Sequence, residues 1–178
     1  HWQKKASITR PGICRNGFGE LYLQFIMAFT RRRAEISHVF LTMKIFASNV
    51  IPEIDNATCE AQNIDSVELM ERAAGAVSCE IISRFLPSQR IVVVAGPGNN
   101  GGDALAVARM LFEHGYKKVE VFLFNVVGKL SHDCDIERKK LITMDGIDFT
   151  EVKRDFQPPY LGSDDVVIDG LFGSGLRQ

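Results

Sequence analysis

The chain has no pair of cysteines at C-x-x-C spacing; Cys14, Cys59, Cys79 and Cys134 stand far apart. That argues against a redox motif or a cysteine-based zinc site, and for buried thiols in a reducing compartment. The histidines, His1, His38, His114 and His132, show no metal-ligand spacing either, so no zinc site is expected. Long hydrophobic runs are also missing. Leu21 to Phe29 is the longest apolar stretch near the start, and its nine residues are too few to span a bilayer. Arg31, Arg32 and Arg33 follow it and no A-x-A-like site is present, which makes a poor signal peptide. The expectation is a cytoplasmic protein, with a mitochondrial location second, and no membrane partner. There is no internal repeat, no low-complexity tract and no Gly-Lys-Ser/Thr of a P-loop.

A strong net charge is lacking as well: the total is −1 over 178 residues. The distribution is uneven. Residues 1–42 carry seven Lys/Arg and two Asp/Glu, a balance of +5, and residues 43–178 carry 14 and 20, a balance of −6. The acidic part excludes nucleic acid as the main partner of the domain. The break at Met43 suggests that Met43 is the initiator and that residues 1–42 are an unassigned extension, native or not; they loosely match an Arg-rich, acid-poor presequence. The 46% apolar content suffices for one domain with a real core over residues 43–178.

What the chain does have is Ile91 to Leu105, IVVVAGPGNNGGDAL. An apolar run enters a glycine-rich turn, which leads into a helix expected to begin near Gly102. Gly96, Gly98 and Gly101 satisfy G-x-G-x-x-G, and each is assigned a place where a Cβ would obstruct the tight turn or ligand approach, so that Gly98→Val should harm folding and binding alike. The helix start presents N–H groups and a positive dipole end to an anion. Two departures narrow the reading. The dinucleotide fingerprint wants an acid about 20 positions on, and Val119 to Phe124 ends in Asn125 instead. The turn also carries Asn99, Asn100 and Asp103, more polar chemistry than a pyrophosphate turn needs. Asp103 alone could be a helix cap or dipole partner. The asparagine carbonyls suit a cation or a sugar.

Around this stretch the pattern alternates strand and helix. Pro52 opens a short helix with Ile54, Ala57, Thr58 and Ala61 on one side. Asp65 and Glu68 are spaced as a capping box, with Ser66 the alternative cap. The helix that follows places Met70, Ala73, Ala74, Val77, Ile81 and Phe85 at helical spacing, and Pro87 closes it. Ala73, Ala74 and Gly75 would let another element approach closely, in packing or at a subunit interface. Ala104 to His114 buries Leu105, Ala108, Leu111 and Phe112 and stops at Gly115. Val119 to Phe124 reads as a strand covered on both faces. Asp133 to Met144 reads as an amphipathic helix with Asp135, Glu137, Arg138 and Lys139 on its charged side, and Asp148 to Val152 as a short strand. Val166 to Asp169 reads as another buried strand. The fold class is α/β: a Rossmann-like, doubly wound, mostly parallel sheet preceded by two helices.

The second site segment is Val166 to Gln178, VVIDGLFGSGLRQ. Asp169 ends a strand and is followed by Gly173, Ser174 and Gly175. Ligands in open parallel sheets bind beyond the carboxyl ends of strands where the winding reverses. With this strand beside Ile91–Ala95, Asp169 faces the Asn99–Asp103 turn.

GPGNNGGDAL followed by VVIDGLFGSGLRQ, with ELMERAAGA upstream, resembles the NAD(P)H-hydrate epimerase family (the YjeF N-terminal domain) from about Met43 to Gln178. The resemblance implies repair of damaged nicotinamide cofactors. Hydrated NADH and NADPH carry a ring hydroxyl as R and S epimers, and the family interconverts them for a companion dehydratase that accepts one epimer. Carried over, Asn99, Asn100, Gly101, Gly102 and Asp103 would contact the hydrated dinucleotide. Gly173, Ser174, Gly175, Leu176, Arg177 and Gln178 would form the loop over its phosphates. Asn100 and Asp169 would coordinate potassium (K+), a hard cation suited to oxygen ligands. The family continues into a segment resembling Asp-Ile-Pro-Ser-Gly with a further substrate-binding Asp, so a C-terminally incomplete and impaired domain is the expectation. The catalytic residue is thereby left unassigned, with Asp103 and Asp169 as candidates. Ala104 stands where the family often has glycine. A homodimer, and a dehydratase on the same or another chain, are the implied partners.

Two other readings compete. Related domains serve as non-enzymatic binding or dimerisation modules, but these tend to lose the polar residues that are present here as Asn99, Asn100, Asp103 and Asp169. A generic nucleotide-binding dehydrogenase is disfavoured by Asn125.

Overall fold

The computed structural model describes residues 50–173. Helix α1 (Ile51–Gln62) takes Pro52 into its first turn, where a missing N–H costs nothing, and ends on Asn63 in the left-handed conformation. Helix α2 (Ser66–Arg84) is capped by Asp65, whose carboxylate accepts the Glu68 N–H at 2.7 Å. Only half of the expected capping box forms. The Glu68 side chain turns to Arg72 at 2.6 Å, and the Ser66 hydroxyl donates to Asp133 across 3.0 Å. Phe85, extended, terminates the helix ahead of Pro87.

Strand β1 (Ile91–Ala95) leads through residues 96–98 into helix α3 (Asn99–Glu113), followed by strand β2 (Val119–Phe124), helix α4 (His132–Ile142), strand β3 (Asp148–Val152) and strand β4 (Val166–Gly170). All four strands are parallel, in the order β3-β2-β1-β4. The winding therefore runs outward from β1 through β2 to β3, then returns to place β4 on β1's other side. The reversal lies between β1 and β4, where a Rossmann-like sheet opens its strand-end crevice. Gly115, at φ +94°, stops α3 by taking a conformation that side chains resist.

Alternation along β1 separates two faces. Ile91, Val93 and Ala95 join Val119, Val121 and Leu123 with Leu105, Ala108 and Leu111 of α3 in the main core. Val92 and Phe122 belong to a smaller cluster on the other face, where Phe156 from the β3–β4 connection packs edge-on to Phe122 and Phe124. β4 is consequently not the fully buried strand its apolar sequence suggests. Val167 and Asp169 are exposed on this second face, whereas Val166 and Ile168 pack on the main core.

Two helix faces also differ from the expectation. In α2, Met70, Ala74, Ser78 and Ile81 turn inward, while Ala73 and Val77 face outward, Val77 with 49% of its surface exposed. The main core seats on a stripe rotated by one residue, and Ser78 stays inside by donating to the Ala74 carbonyl at 2.8 Å. In α3, Phe112 is only half buried. Helix α4 starts one residue earlier and ends two earlier than expected. Its "charged side" is not all solvated: Glu137 is completely buried. Lys140 reaches it at 2.7 Å and Arg109 of α3 at 3.4 Å, and Glu71 of α2 bridges the same two cations. Charge compensation, not apolar periodicity, joins the three helices here. Removing the carboxylate takes from Lys140 and Arg109 their buried partner and leaves Glu71 to hold both, so Glu137→Ala is expected to cost about 2 kcal/mol, the value of a lost hydrogen bond to a charged group. A urea unfolding midpoint that does not move would contradict this.

Candidate functional site

The site begins where β1 ends. Gly96 donates its N–H to the Gly170 carbonyl at 3.0 Å, continuing the β1–β4 pairing into the loops. A Cβ on Gly96 would lie 2.0 Å from the Leu171 carbonyl oxygen, and one on Gly101 would lie 1.8 Å from the Gly96 carbonyl oxygen. Two glycines thus let the turn, the helix and the β4 loop close on one another. Gly98 is different. Nothing lies within 4 Å of a Cβ built there, and its φ of −92° suits any residue. The expectation that Gly98→Val harms folding for want of space is not supported; the third glycine serves only as the helix N-cap.

α3 starts at Asn99, three residues earlier than expected, so Asn99 to Asp103 belong to its opening turns. Its first intrahelical bond runs from the Gly102 N–H to the Gly98 carbonyl at 3.1 Å. The N–H groups of Asn99, Asn100 and Gly101 precede that bond and point out of the helix end, as anion donors do. The cap role for Asp103 falls away: Gly98 is the cap, and no acidic residue stands in the first turn.

The helix sorts the polar residues onto separate faces. Asn99 and Asp103, four residues apart, share one face, and Asn100 looks toward β4. Asn100 Nδ2 donates to the Phe172 carbonyl at 2.9 Å. The Asn100 backbone oxygen lies 2.9 Å from where a Gly170 Cβ would be, and its Cβ 3.2 Å from that of Gly173. Register pairs Asp169 with Val94, and Asp169 Oδ1 accepts the Leu171 N–H at 3.0 Å, shaping the loop that meets Asn100. The two glycine-rich segments therefore adjoin, as the strand order requires. Ser174, Gly175, Leu176, Arg177 and Gln178 lie outside the described residues.

Asp103 is half buried, with no hydrogen bond or ion pair among the described residues. Burial, then the charges of Asp55 and Asp133, push its carboxyl up to about 6. A carboxyl in that range both holds and releases a proton near neutrality. Cys134 packs against the turn, its thiol 3.7 Å from the Gly96 carbonyl, and burial pushes it up to about 11, which removes it as a nucleophile. Cys59 and Cys79 are half buried rather than buried, and Cys14 lies outside the described residues. Among the described residues no group of three His, Cys, Asp or Glu could hold a metal ion. No helix among them is long and apolar enough to cross a membrane.

One feature was hidden from the sequence. A cavity of about 590 Å³ lies beyond the carboxyl ends of β2 and β3. Asn125, where the fingerprint lacks its acid, donates Nδ2 to Glu151 Oε1 at 2.7 Å. Glu151 lies one strand further out, and the pair forms only because β2 and β3 are paired.

A glycine-rich first turn, a helix N-terminus and a second loop meet at the switch point, the place where open parallel α/β sheets bind their ligands. The chain matches the family described as YjeF-related protein N-terminus over residues 66–178, and it belongs to that family. It is 31% identical over 143 residues to the bifunctional NAD(P)H-hydrate repair enzyme Nnr of Dictyoglomus turgidum, covering 76% of this chain and 26% of that one. It is 32% identical over 139 residues to the NAD(P)H-hydrate epimerase of Limosilactobacillus reuteri, covering 78% of this chain and 62% of that one. The chain thus spans less than two thirds of either relative. The fold is similar to the crystal structure of yeast ynu0, YNL200c, with a TM-score of 0.61 and 25% identity over 76% of this chain and 59% of that one.

Proposed function

We propose that this chain carries the epimerase site of nicotinamide-cofactor repair, interconverting the R and S forms of hydrated NADH and NADPH. The observation that carries the reading is the Asn100–Phe172 bond, which holds the polar first turn of α3 against the loop after β4. In this reading the N–H groups opening α3 and the segment Gly173 to Gln178 hold the dinucleotide phosphates, and Asn99 and Asp103 face the remainder of the ligand. Inverting a hydroxyl-bearing carbon requires one bond there to break and re-form while a proton moves to and from oxygen. Asp103, with its carboxyl near 6, is the residue suited to hold that proton. Asp169, exposed and engaged with the Leu171 N–H, is read as a potassium ligand rather than the proton carrier.

Potassium fits the oxygen set at the loop junction. With Nδ2 committed to Phe172, Asn100 keeps Oδ1 available, and Asp169 keeps the carboxylate oxygen that Leu171 does not use. These are hard donors. When bound, the ion would supply positive charge that offsets repulsion between the acidic residues and an anionic ligand. Homodimerisation and a companion dehydratase belong to the same proposal.

Thermal stability tests it. Hydrated NADPH is expected to raise the melting temperature in potassium, with little effect from plain NADPH. Asn100→Ala is expected to abolish the potassium dependence of that shift. A shift that stays equally potassium-dependent in the variant would remove the ion assignment, and equal shifts by hydrated and plain cofactor would remove the substrate.

A further inference from the structure

Asp133 is a buried carboxylate with no part in the chemistry proposed above. Only 6% of its surface is exposed, and it stands in the first turn of α4, where the helix dipole favours negative charge. Two side chains hold one of its oxygens. Ser66, the first residue of α2, donates its hydroxyl to Oδ1 at 3.0 Å, and His132 Nδ1 lies 2.9 Å from the same atom. Oδ2 takes no hydrogen bond, and no Lys or Arg pairs with the carboxylate, among the described residues. Its charge is therefore fixed in place and only partly offset. Burying such a charge is costly, and packing alone does not account for it.

Asp133 lies where three helix starts meet. The Ser131 N–H, at the cap of α4, donates to the Pro97 carbonyl in the turn before α3 at 2.8 Å. A Cβ on Gly102 would lie 2.8 Å from the Met70 sulfur of α2 and 3.2 Å from Cys134 Cα of α4, so the opening of α3 is wedged between the other two helices. Asp103 follows Gly102 and Asp133 precedes Cys134, which makes the two acids the chain neighbours of that contact. After burial, the charges of Asp55 on α1 and Asp133 on α4 oppose the ionisation of Asp103, while α2 faces the contact with uncharged Met70 and Ser66. Asp55 is exposed on a helix that buries no residue, so its charge moves with that helix and is screened by water. The Asp133 carboxylate is buried and bonded, and is screened much less.

We propose that Asp133 is a positioning residue of the epimerase site: Ser66 pins its carboxylate beside Asp103, and the fixed negative charge holds the proton on that acid. This rests on the epimerase reading above and names the residue that prepares its proton carrier. Without the charge, Asp103 would be ionised over more of the neutral range and would lack the proton it has to give.

Carbon-13 NMR of the Asp103 carboxyl, assigned by its loss in Asp103→Asn, reads this without turnover. In the full chain carrying Asp133→Asn the Asp103 titration midpoint is expected to move to lower pH by about half a unit or more, because losing a neighbouring negative charge favours the ionised form. The amide keeps an oxygen for Ser66 to donate to. Asp133→Ser removes the same charge with a smaller group and is expected to shift the midpoint likewise, whereas Asp133→Glu is expected to restore most of it. All are compared in a His132→Gln background, where no imidazole charge cancels the carboxylate. The limb of the kcat/KM profile on which Asp103 loses its proton is expected to move the same way. A merely structural residue would lower the rate at every pH and leave the midpoint in place. A midpoint that stays put, or moves upward, in Asp133→Asn and Asp133→Ser would overturn the proposal. That result in a chain that epimerises hydrated cofactors overturns this assignment alone. A lowered midpoint in a chain that does not epimerise them overturns the epimerase reading alone.

Discussion

Asp103→Asn is expected to make the protein more stable and nearly inactive at once. A carboxyl raised to about 6 in the folded state, against 3.8 in the open chain, binds its proton more tightly when folded. Below the unfolded value both states are protonated and the residue contributes nothing. As pH rises from about 4 to about 6, the unfolded chain ionises first, and folding stability falls by that difference. Above about 6 the full penalty is present. The amide removes it, so the variant gains stability at pH 7.5 and gains nothing at pH 4. Solvent access to a half-buried group reduces the gain to about 1 kcal/mol. Under the proposed reading the same change removes the proton carrier, and turnover falls by about 100-fold or more. Thermal unfolding at the two pH values, with an epimerisation rate at pH 7.5, checks both halves. A variant destabilised at pH 7.5 would show that the Asp103 carboxylate is structural and the burial argument wrong.

Gly101→Ala is expected to have the largest effect on folding of any single methyl group in the site. Its Cβ would fall 1.8 Å from the Gly96 carbonyl oxygen, and that atom is backbone, already fixed by the strand before it and by the Gly170 carbonyl accepting the Gly96 N–H. Neither partner can swing aside. Relief requires α3 to separate from the turn, at a cost of about 3 kcal/mol, the upper end of overpacking. Gly98→Ala is the control. With nothing within 4 Å of the new atom and an ordinary φ, it costs no more than about 1 kcal/mol. Chemical denaturation of the pair compares them directly. Equal destabilisation would mean that both glycines are required by a common backbone conformation and that the close approach at Gly101 is not the determinant.

The fold was legible where the pattern was local. Ile91 to Ala95 is apolar throughout and Val119 to Phe124 apolar but for Glu120, and in a parallel sheet that signal is nearly unambiguous. The sequence reading sets the Val166–Asp169 strand beside Ile91–Ala95, and the observed pairing of β4 with β1 agrees. Failures occurred where tertiary context decided. Gly98, Gly96 and Gly101 are equivalent in a motif, but only the last two meet another backbone. Glu137 belongs to a charged helix face by periodicity and is buried because cations from α3 and from its own next turn reach it. The exposed face of β4 is not encoded in VVIDG, whose burial depends on what lies over the sheet. The approach of the Asn99–Asp103 segment to the end of the Asp169 strand was readable from the sequence. The Asn125–Glu151 pair was not, because its two members lie 26 residues apart and meet only through strand pairing.

Whether the joined first turn of α3 and loop after β4 form an epimerase site is decided by a rate. A single purified epimer of hydrated NADPH is incubated with the full chain in potassium buffer, and the approach to the R/S mixture is followed chromatographically beside a protein-free control. The account predicts equilibration well ahead of the control, slowed by Asp103→Asn and by replacing potassium with a non-coordinating cation. Equilibration at the control rate would contradict it.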